Sequence, residues 1–221
     1  MSILVDWGIQ RLWDDAQQHP EWATTRLWGY IFNRVVFTES NWIVSSQQPP
    51  THQPGDLRRV DLVVEEIDTH AQTVGTLLFV QAKRANASST DIEEVEYQAF
   101  TAACAYSIET KVKSLWIMTC VGSKARLWAF REETIYLIPF VPSGNGLSAI
   151  GEYLEISTHG TTLIEALNFC KSHMRPPGDL FDVRDPPPRP RNVTLPPSWH
   201  DTEVTIVDSQ REAYLSGIRR P

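Results

Sequence analysis

The chain has 221 residues, 42% of them hydrophobic, and eight Trp, so it can bury a sizeable core. Its formal charge of −7 argues against a protein that binds DNA tightly and without sequence preference, because such proteins need a basic face. No apolar stretch reaches the length of a membrane span, and no secretory signal is recognisable at the N-terminus. Cys104, Cys120 and Cys170 lie far apart in apolar surroundings, which predicts reduced core residues of an intracellular protein.

The first fifty residues predict two helices and a strand. Residues 1–19 carry a loose apolar stripe at helical spacing. A second helix is expected to begin at Pro20, a residue favoured in the first turn, and to end near Arg34. Residues 41–46 predict a strand, and the Pro- and Gly-containing residues 47–55 predict a loop.

Two short runs, residues 58–66 and 76–84, predict adjacent antiparallel strands, because both are rich in β-branched and apolar residues and a polar turn joins them. Asp61 lies in the first run, and Gln81 and Lys83 lie two residues apart in the second. A sheet core does not accommodate such groups without a partner. The pattern therefore predicts a polar site built on a buried scaffold.

Alternation along a strand assigns these side chains to faces of the sheet. Asp61, Val63 and Glu65 are expected to share one face of the first strand. Gln81 and Lys83 are expected to share one face of the second strand.

The middle of the chain predicts a helix followed by a strand meander. Thr90 and Glu93 have capping-box spacing, and an apolar stripe continues from them to Tyr106. The remaining elements are strands over 114–121, 125–131 and 134–140, an edge strand over 153–157, and a helix over 163–174 capped by Thr161 or Thr162. Strand, helix and strand in succession favour a mixed central sheet flanked by helices.

From Arg175 the composition changes, because residues 175–221 hold more than half of the 15 prolines. Such a stretch cannot form a helix or a central strand, so it predicts an extended or partly disordered tail. We therefore expect a core domain over residues 1–174 and a tail that can be removed without unfolding it.

Asp61 on one strand followed by Gln81-x-Lys83 on the next resembles the PD-(D/E)XK nuclease superfamily. The run from Phe79 to Arg84 is most similar to the Mrr type of restriction endonuclease, in which Gln often replaces the acidic residue. Residues 122–128 are also similar to fungal proteins of this superfamily. The resemblance implies an α/β restriction-endonuclease-like core and metal-dependent hydrolysis of phosphodiester bonds in DNA or RNA.

The resemblance also implies roles for named residues. Asp61 and Gln81 would bind Mg²⁺, which prefers oxygen ligands, and Lys83 would stabilise developing negative charge. A Glu on the helix before the sheet sometimes completes such a metal site, and Glu21 and Glu39 are both candidates.

Further polar residues are candidates for substrate binding. Gln98 lies on the predicted helix after the Lys83 strand, where this superfamily often carries a Gln. Its usual Gln-x-x-x-Tyr spacing fails here, because residue 102 is Ala. The other candidates are Glu65, Arg58 and Arg84.

Two alternatives stay open. Size and acidity suggest arginine-containing cyclodipeptide synthases of fungi, which take aminoacyl groups from tRNA. In that hypothesis Glu65, Glu94 or Glu96 would hold a cationic side chain. The other alternative is a non-catalytic interaction protein that uses the Pro-rich tail. The sequence leaves the oligomeric state open.

Overall fold

One mixed, open sheet of seven strands organises the computed structural model, which describes residues 6–51 and 58–182 together with Pro187, Pro190 and Val193. The strands of this described part are β1 Trp42–Gln48, β2 Val60–Asp68, β3 Thr73–Lys83, β4 Ser114–Val121, β5 Lys124–Arg131, β6 Ile138–Val141 and β7 Leu154–Glu155. Their spatial order is β1-β2-β3-β4-β5-β6, and β7 pairs with β5. Only the β3–β4 pair is parallel among these strands, which confirms the predicted mixed sheet.

Helices cover both faces of the sheet. They are α1 Trp7–Gln18, α2 Glu21–Ile31, α3 Ser89–Thr110, α4 Ile156–Ser172 and the short α5 Asp179–Asp182. α3 connects β3 to β4 and packs on both of them, as the parallel pairing requires. α2 contacts β2 and β3, and α1 packs on α2. The chain is therefore an α/β protein with a sheet between two helical layers.

Two large apolar clusters, one on each face, and a small third cluster of Ile92, Val121 and Tyr153 form the core of the described residues. Leu27 and Trp28 of α2 lie in the first cluster with Leu167 of α4. Phe100 of α3 lies in the second cluster with Phe79 of β3. We call these sides the α2 face and the α3 face. Full burial of one such side chain stabilises the fold by about 1.5–3 kcal/mol relative to exposure.

Several helix boundaries differ from the predicted ones. α3 begins two residues early, because Ser88 caps it and exchanges hydrogen bonds with Asp91 in a capping box, so Thr90 lies inside the helix. The sequences Ser88-x-x-Asp91 and Thr90-x-x-Glu93 overlap here, and the first of them forms the capping box. α4 begins at Ile156, with Glu155 as its cap, and bends at His159. The caps predicted at Thr161 and Thr162 were therefore wrong.

The third strand of the meander is shorter than predicted. Thr134 donates its hydroxyl to the carbonyl of Arg131 at 2.7 Å, which makes a turn where the strand was expected to begin. At the other end of the sheet, β1 extends through Gln48 into the predicted loop and pairs there with Val60.

The chain stays in contact with the sheet beyond residue 174. Arg175 donates to the carbonyl of Thr76 at 2.6 Å, and the buried Phe181 ring lies 4.4 Å from the Arg131 guanidinium. Val193 packs against the α3-face cluster. The rest of the predicted Pro-rich tail lies outside the described residues. Across the part of the chain that is described, no helix combines the length and apolarity needed to span a bilayer.

Candidate functional site

The start of β2 departs from regular alternation, and the departure brings Asp61 to the α2 face. Val60 and Val63 both belong to the α3-face cluster although they are three residues apart. Leu62 and Asp61 both line a cleft of about 490 Å³ beside α2. The prediction that Asp61 and Val63 share a face was therefore wrong, because strict alternation does not hold at this strand end.

The Asp61 carboxylate is buried and receives two hydrogen bonds. The Ala82 N–H of β3 donates to one oxygen at 2.8 Å, and Gln47 Nε2 donates to the other at 2.7 Å. Burial and the nearby charge of Glu21 raise its pKa to about 6, although the two hydrogen bonds and Lys83 act in the opposite direction. Two hydrogen bonds therefore hold the Asp61 carboxylate in place, and it ionises at a higher pH than an ordinary carboxyl group.

Lys83 ends β3, and its ammonium reaches helices on both faces of the sheet. Nζ lies 2.8 Å from Glu94 Oε1 of α3 and 3.6 Å from Glu21 Oε2 of α2. Burial lowers the pKa of Lys83, but the hydrogen bond to Glu94 and the charges of Glu21, Glu94 and Asp61 outweigh burial and raise it. Lys83 is therefore a fixed positive charge at neutral pH.

Glu21 connects Asp61 and Lys83 electrostatically. It begins α2, remains half-exposed with 46% of its side chain accessible, and acts on the pKa values of both residues. Glu39, the other candidate, instead forms an ion pair with Lys171 of α4 at 2.6 Å. That hydrogen-bonded pair lowers the Glu39 pKa.

The two glutamine candidates have different hydrogen-bond partners, and only the partner of Gln98 contacts Lys83. Gln81 is buried, and its Nε2 donates to the Arg59 carbonyl at 3.1 Å. Gln98 of α3 is also buried, and its Nε2 donates to Glu94 Oε1 at 3.3 Å. Gln98 therefore acts on Lys83 only through Glu94.

No family model, curated protein or solved structure matches this chain. The chemistry open to the polar cluster of Asp61, Lys83, Glu21 and Glu94 therefore follows from its own geometry.

Three other candidates lie outside this cluster or at its edge. Glu65 lies opposite Thr76 on β3, about 20 Å along the strand from Ala82. Arg84 follows Lys83 but is 64% exposed and faces Asp91 at 4.0 Å. Arg58 is buried immediately before β2. The structure therefore does not bring Glu65 together with the other predicted substrate-binding residues.

The donor set can be compared with the needs of Mg²⁺. No group of three His, Cys, Asp or Glu side chains suited to a metal ion occurs among the described residues. Asp61 and Glu21 nevertheless supply two interacting carboxylates. Mg²⁺ commonly uses one or two carboxylates together with water and substrate phosphate, so these oxygen donors fit it.

Sequence reasoning missed two members of the cluster. Gln47 has a φ of 53°, a left-handed conformation that is uncommon for a residue with a side chain, and it donates to Asp61. Glu94 entered only as a binder of a cationic substrate, whereas it binds Lys83 of its own chain.

A second buried polar network lies between α3 and the segment before β7. Glu96 accepts from the Tyr153 hydroxyl at 3.0 Å and from the Ser148 N–H at 3.1 Å. Tyr153 also contacts the Thr119 hydroxyl at 2.9 Å. Burial raises the pKa of Glu96 to about 7 despite these hydrogen bonds and the charge of Arg126. Glu65, Glu94 and Glu96 therefore have separate surroundings.

Proposed function

We propose that this chain is a PD-(D/E)XK-type enzyme with a restriction-endonuclease-like core, which hydrolyses phosphodiester bonds of nucleic acid with the help of Mg²⁺. The observation that carries the proposal is the position of the Lys83 ammonium, 3.6 Å from Glu21, at the end of β3 where the Ala82 N–H donates to the Asp61 carboxylate. Two carboxylates with a fixed cation beside them suit a reaction in which a phosphate gains negative charge.

Asp61 and Glu21 would hold the metal ion, and the Gln81 amide oxygen would complete the protein ligands. When bound, Mg²⁺ polarises the phosphate and lowers the pKa of a water molecule. Asp61 must be ionised for this role, and its pKa is about 6. Activity is therefore expected to rise as the pH increases through about 6.

Lys83 would stabilise the negative charge that develops on the phosphoryl oxygens. Its ammonium is already charged and is held at the end of β3 by Glu94 and Glu21. A substrate phosphate would compete with Glu94 for this ammonium. Gln98 would then retain Glu94 through the hydrogen bond from its side-chain amide.

The proposal is tested by incubating the purified full chain with end-labelled single-stranded and duplex oligonucleotides of RNA and DNA. Cleavage in Mg²⁺ that stops in EDTA is the expected result. Absence of cleavage from every substrate would contradict hydrolysis. If aminoacyl-tRNA copurifies with the chain while cleavage is absent, the aminoacyl-transfer alternative replaces this proposal.

A further inference from the structure

Two clefts adjoin along α2, one beside Asp61 and the other toward α1. The cleft beside Asp61 shares Arg26, Gly29 and Asn33 with the second cleft, whose volume is about 730 Å³. We call the two adjoining clefts together the α2 groove.

The far part of the α2 groove combines cations with aromatic rings. Arg11, Arg26 and Arg34 line the second cleft, as do Trp7 and Tyr30. Arg11 and Arg26 remain 61% exposed even though both face Asp15. Asp6 also lines this cleft, and Asp15 faces two of the arginines, so three cations meet two carboxylates and a surplus of one positive charge remains. This composition is complementary to phosphates rather than to a cationic partner.

Exposed tryptophans add a second kind of contact. Trp7 is 81% exposed at the far end, and Trp22 is 52% exposed beside Glu21 at the site end. The Trp22 ring stacks on His19 with a centroid distance of 5.6 Å, which holds it in place. Water-exposed indole faces stack on nucleobases, but only unpaired bases present their faces for such stacking.

We infer that the α2 groove binds single-stranded nucleic acid and leads it to the Asp61 site. The arginines contact phosphates along the groove, and Trp22 stacks on a base next to the reacting phosphate. A duplex keeps its bases paired and stacked, so it cannot use the tryptophans. This inference rests on the proposed function, because it assigns the substrate of that same site.

The test measures binding without cleavage, by fluorescence anisotropy of labelled RNA and DNA oligonucleotides in EDTA. The full chain is compared with Arg34→Gln, Trp22→Leu and the control Lys113→Gln. Lys113 is 74% exposed and precedes β4, away from the groove. Arg34→Gln should reduce the slope of log affinity against log salt by about 0.7, the effect of one lost phosphate contact on a single strand. Trp22→Leu should weaken binding about tenfold.

Single strands should bind more tightly than duplexes of the same length, and Lys113→Gln should bind like the full chain. Equal affinity for duplex, or equal weakening by Lys113→Gln and Arg34→Gln, would overturn the inference. Cleavage that is unchanged in both groove variants would also overturn it while leaving the proposed function intact. If the groove variants bind more weakly but the full chain cleaves no oligonucleotide, the inference about the groove is supported and the proposed hydrolysis is contradicted. The RNA and DNA arms determine which strand the groove prefers.

Discussion

The Lys83 ammonium lies 2.8 Å from the Glu94 carboxylate, and this contact joins the end of β3 to the helix on the α3 face. The same ammonium lies 3.6 Å from Glu21 on the opposite face. One cation thus links both helical layers across the end of the sheet. Its position depends on two carboxylates that are both partly accessible to solvent.

Replacing Lys83 with Met separates its chemical role from its structural role. Met keeps most of the stem volume, and Glu94 and Glu21 can still be hydrated, so we expect a loss of about 1–2 kcal/mol in unfolding free energy. Turnover should fall by about 100-fold or more, because a charge aimed at the developing anion is lost. Thermal melting and product formation on the same preparation measure both effects.

Lys113→Met is the matched control for this substitution. Lys113 is 74% exposed, and its ammonium lies 3.4 Å from Glu132. Loss of this exposed ion pair should change neither the melting temperature nor turnover appreciably. Normal activity in Lys83→Met would show that Lys83 is a structural residue.

Replacing Asp61 with Asn should remove a pH dependence of stability. The folded state raises the Asp61 pKa from 3.8 to about 6, so it binds the proton more tightly than the unfolded chain does. The unfolding free energy of the wild type should therefore fall as pH rises from about 4 to 6. The Asn carbonyl can still accept from the Ala82 N–H, and a reversed Gln47 amide can accept from Asn.

The measurement is denaturant unfolding of both proteins at pH 4 and pH 7. Between these values the stability of Asp61→Asn relative to wild type should increase by about 3 kcal/mol. An unchanged difference would mean that the Asp61 carboxyl titrates at its ordinary pKa.

The strands that carry the site could be predicted because β2 and β3 have clear β-branched runs, and their pairing brings Asp61 next to Ala82. Local irregularities could not be predicted. The alternation of side chains between the two faces fails at Val60. Gln47 adopts a left-handed backbone conformation, which the sequence around it does not predict. Such departures depend on tertiary packing rather than on local pattern.

The helical partner of Lys83 was also beyond sequence reasoning. Glu94 and Glu96 are two residues apart on α3, but a helix turns them to different surroundings. Only the packing of α3 on β3 and β4 determines that Glu94 reaches Lys83 while Glu96 reaches Tyr153.

Glu96 provides a second pH-dependent contribution to stability. Burial raises its pKa in the folded state from 4.5 to about 7, so the wild type should lose stability as pH rises through this interval. Asp61 titrates alike in wild type and Glu96→Gln, so the difference between their unfolding free energies isolates Glu96. From pH 6 to pH 8 that difference should change by about 1 kcal/mol in favour of Glu96→Gln, as measured by denaturant unfolding. Parallel curves for variant and wild type in that interval would contradict this assignment.

Removal of the tail should have an effect that depends on where the chain is cut. A chain ending at Met174 loses the Arg175 contact with β3 and the buried Phe181, so it should melt several degrees lower than the full chain. A chain ending at Val193 keeps these contacts and should melt like the full chain. Equal melting of both truncated forms and the full chain would restore the expectation that residues 175–221 are dispensable.

The proposed hydrolysis of phosphodiester bonds by Asp61 and its neighbours is tested most directly by the rate of oligonucleotide cleavage in Mg²⁺. Wild type is compared with Asp61→Asn and with the control Glu66→Gln. Glu66 lies on the same strand and accepts a hydrogen bond from Asn41 at 3.1 Å, which Gln preserves. We predict that Asp61→Asn remains folded and loses cleavage by about 100-fold or more, while Glu66→Gln cleaves like wild type. Equal rates for Asp61→Asn and wild type would show that Asp61 takes no part in cleavage.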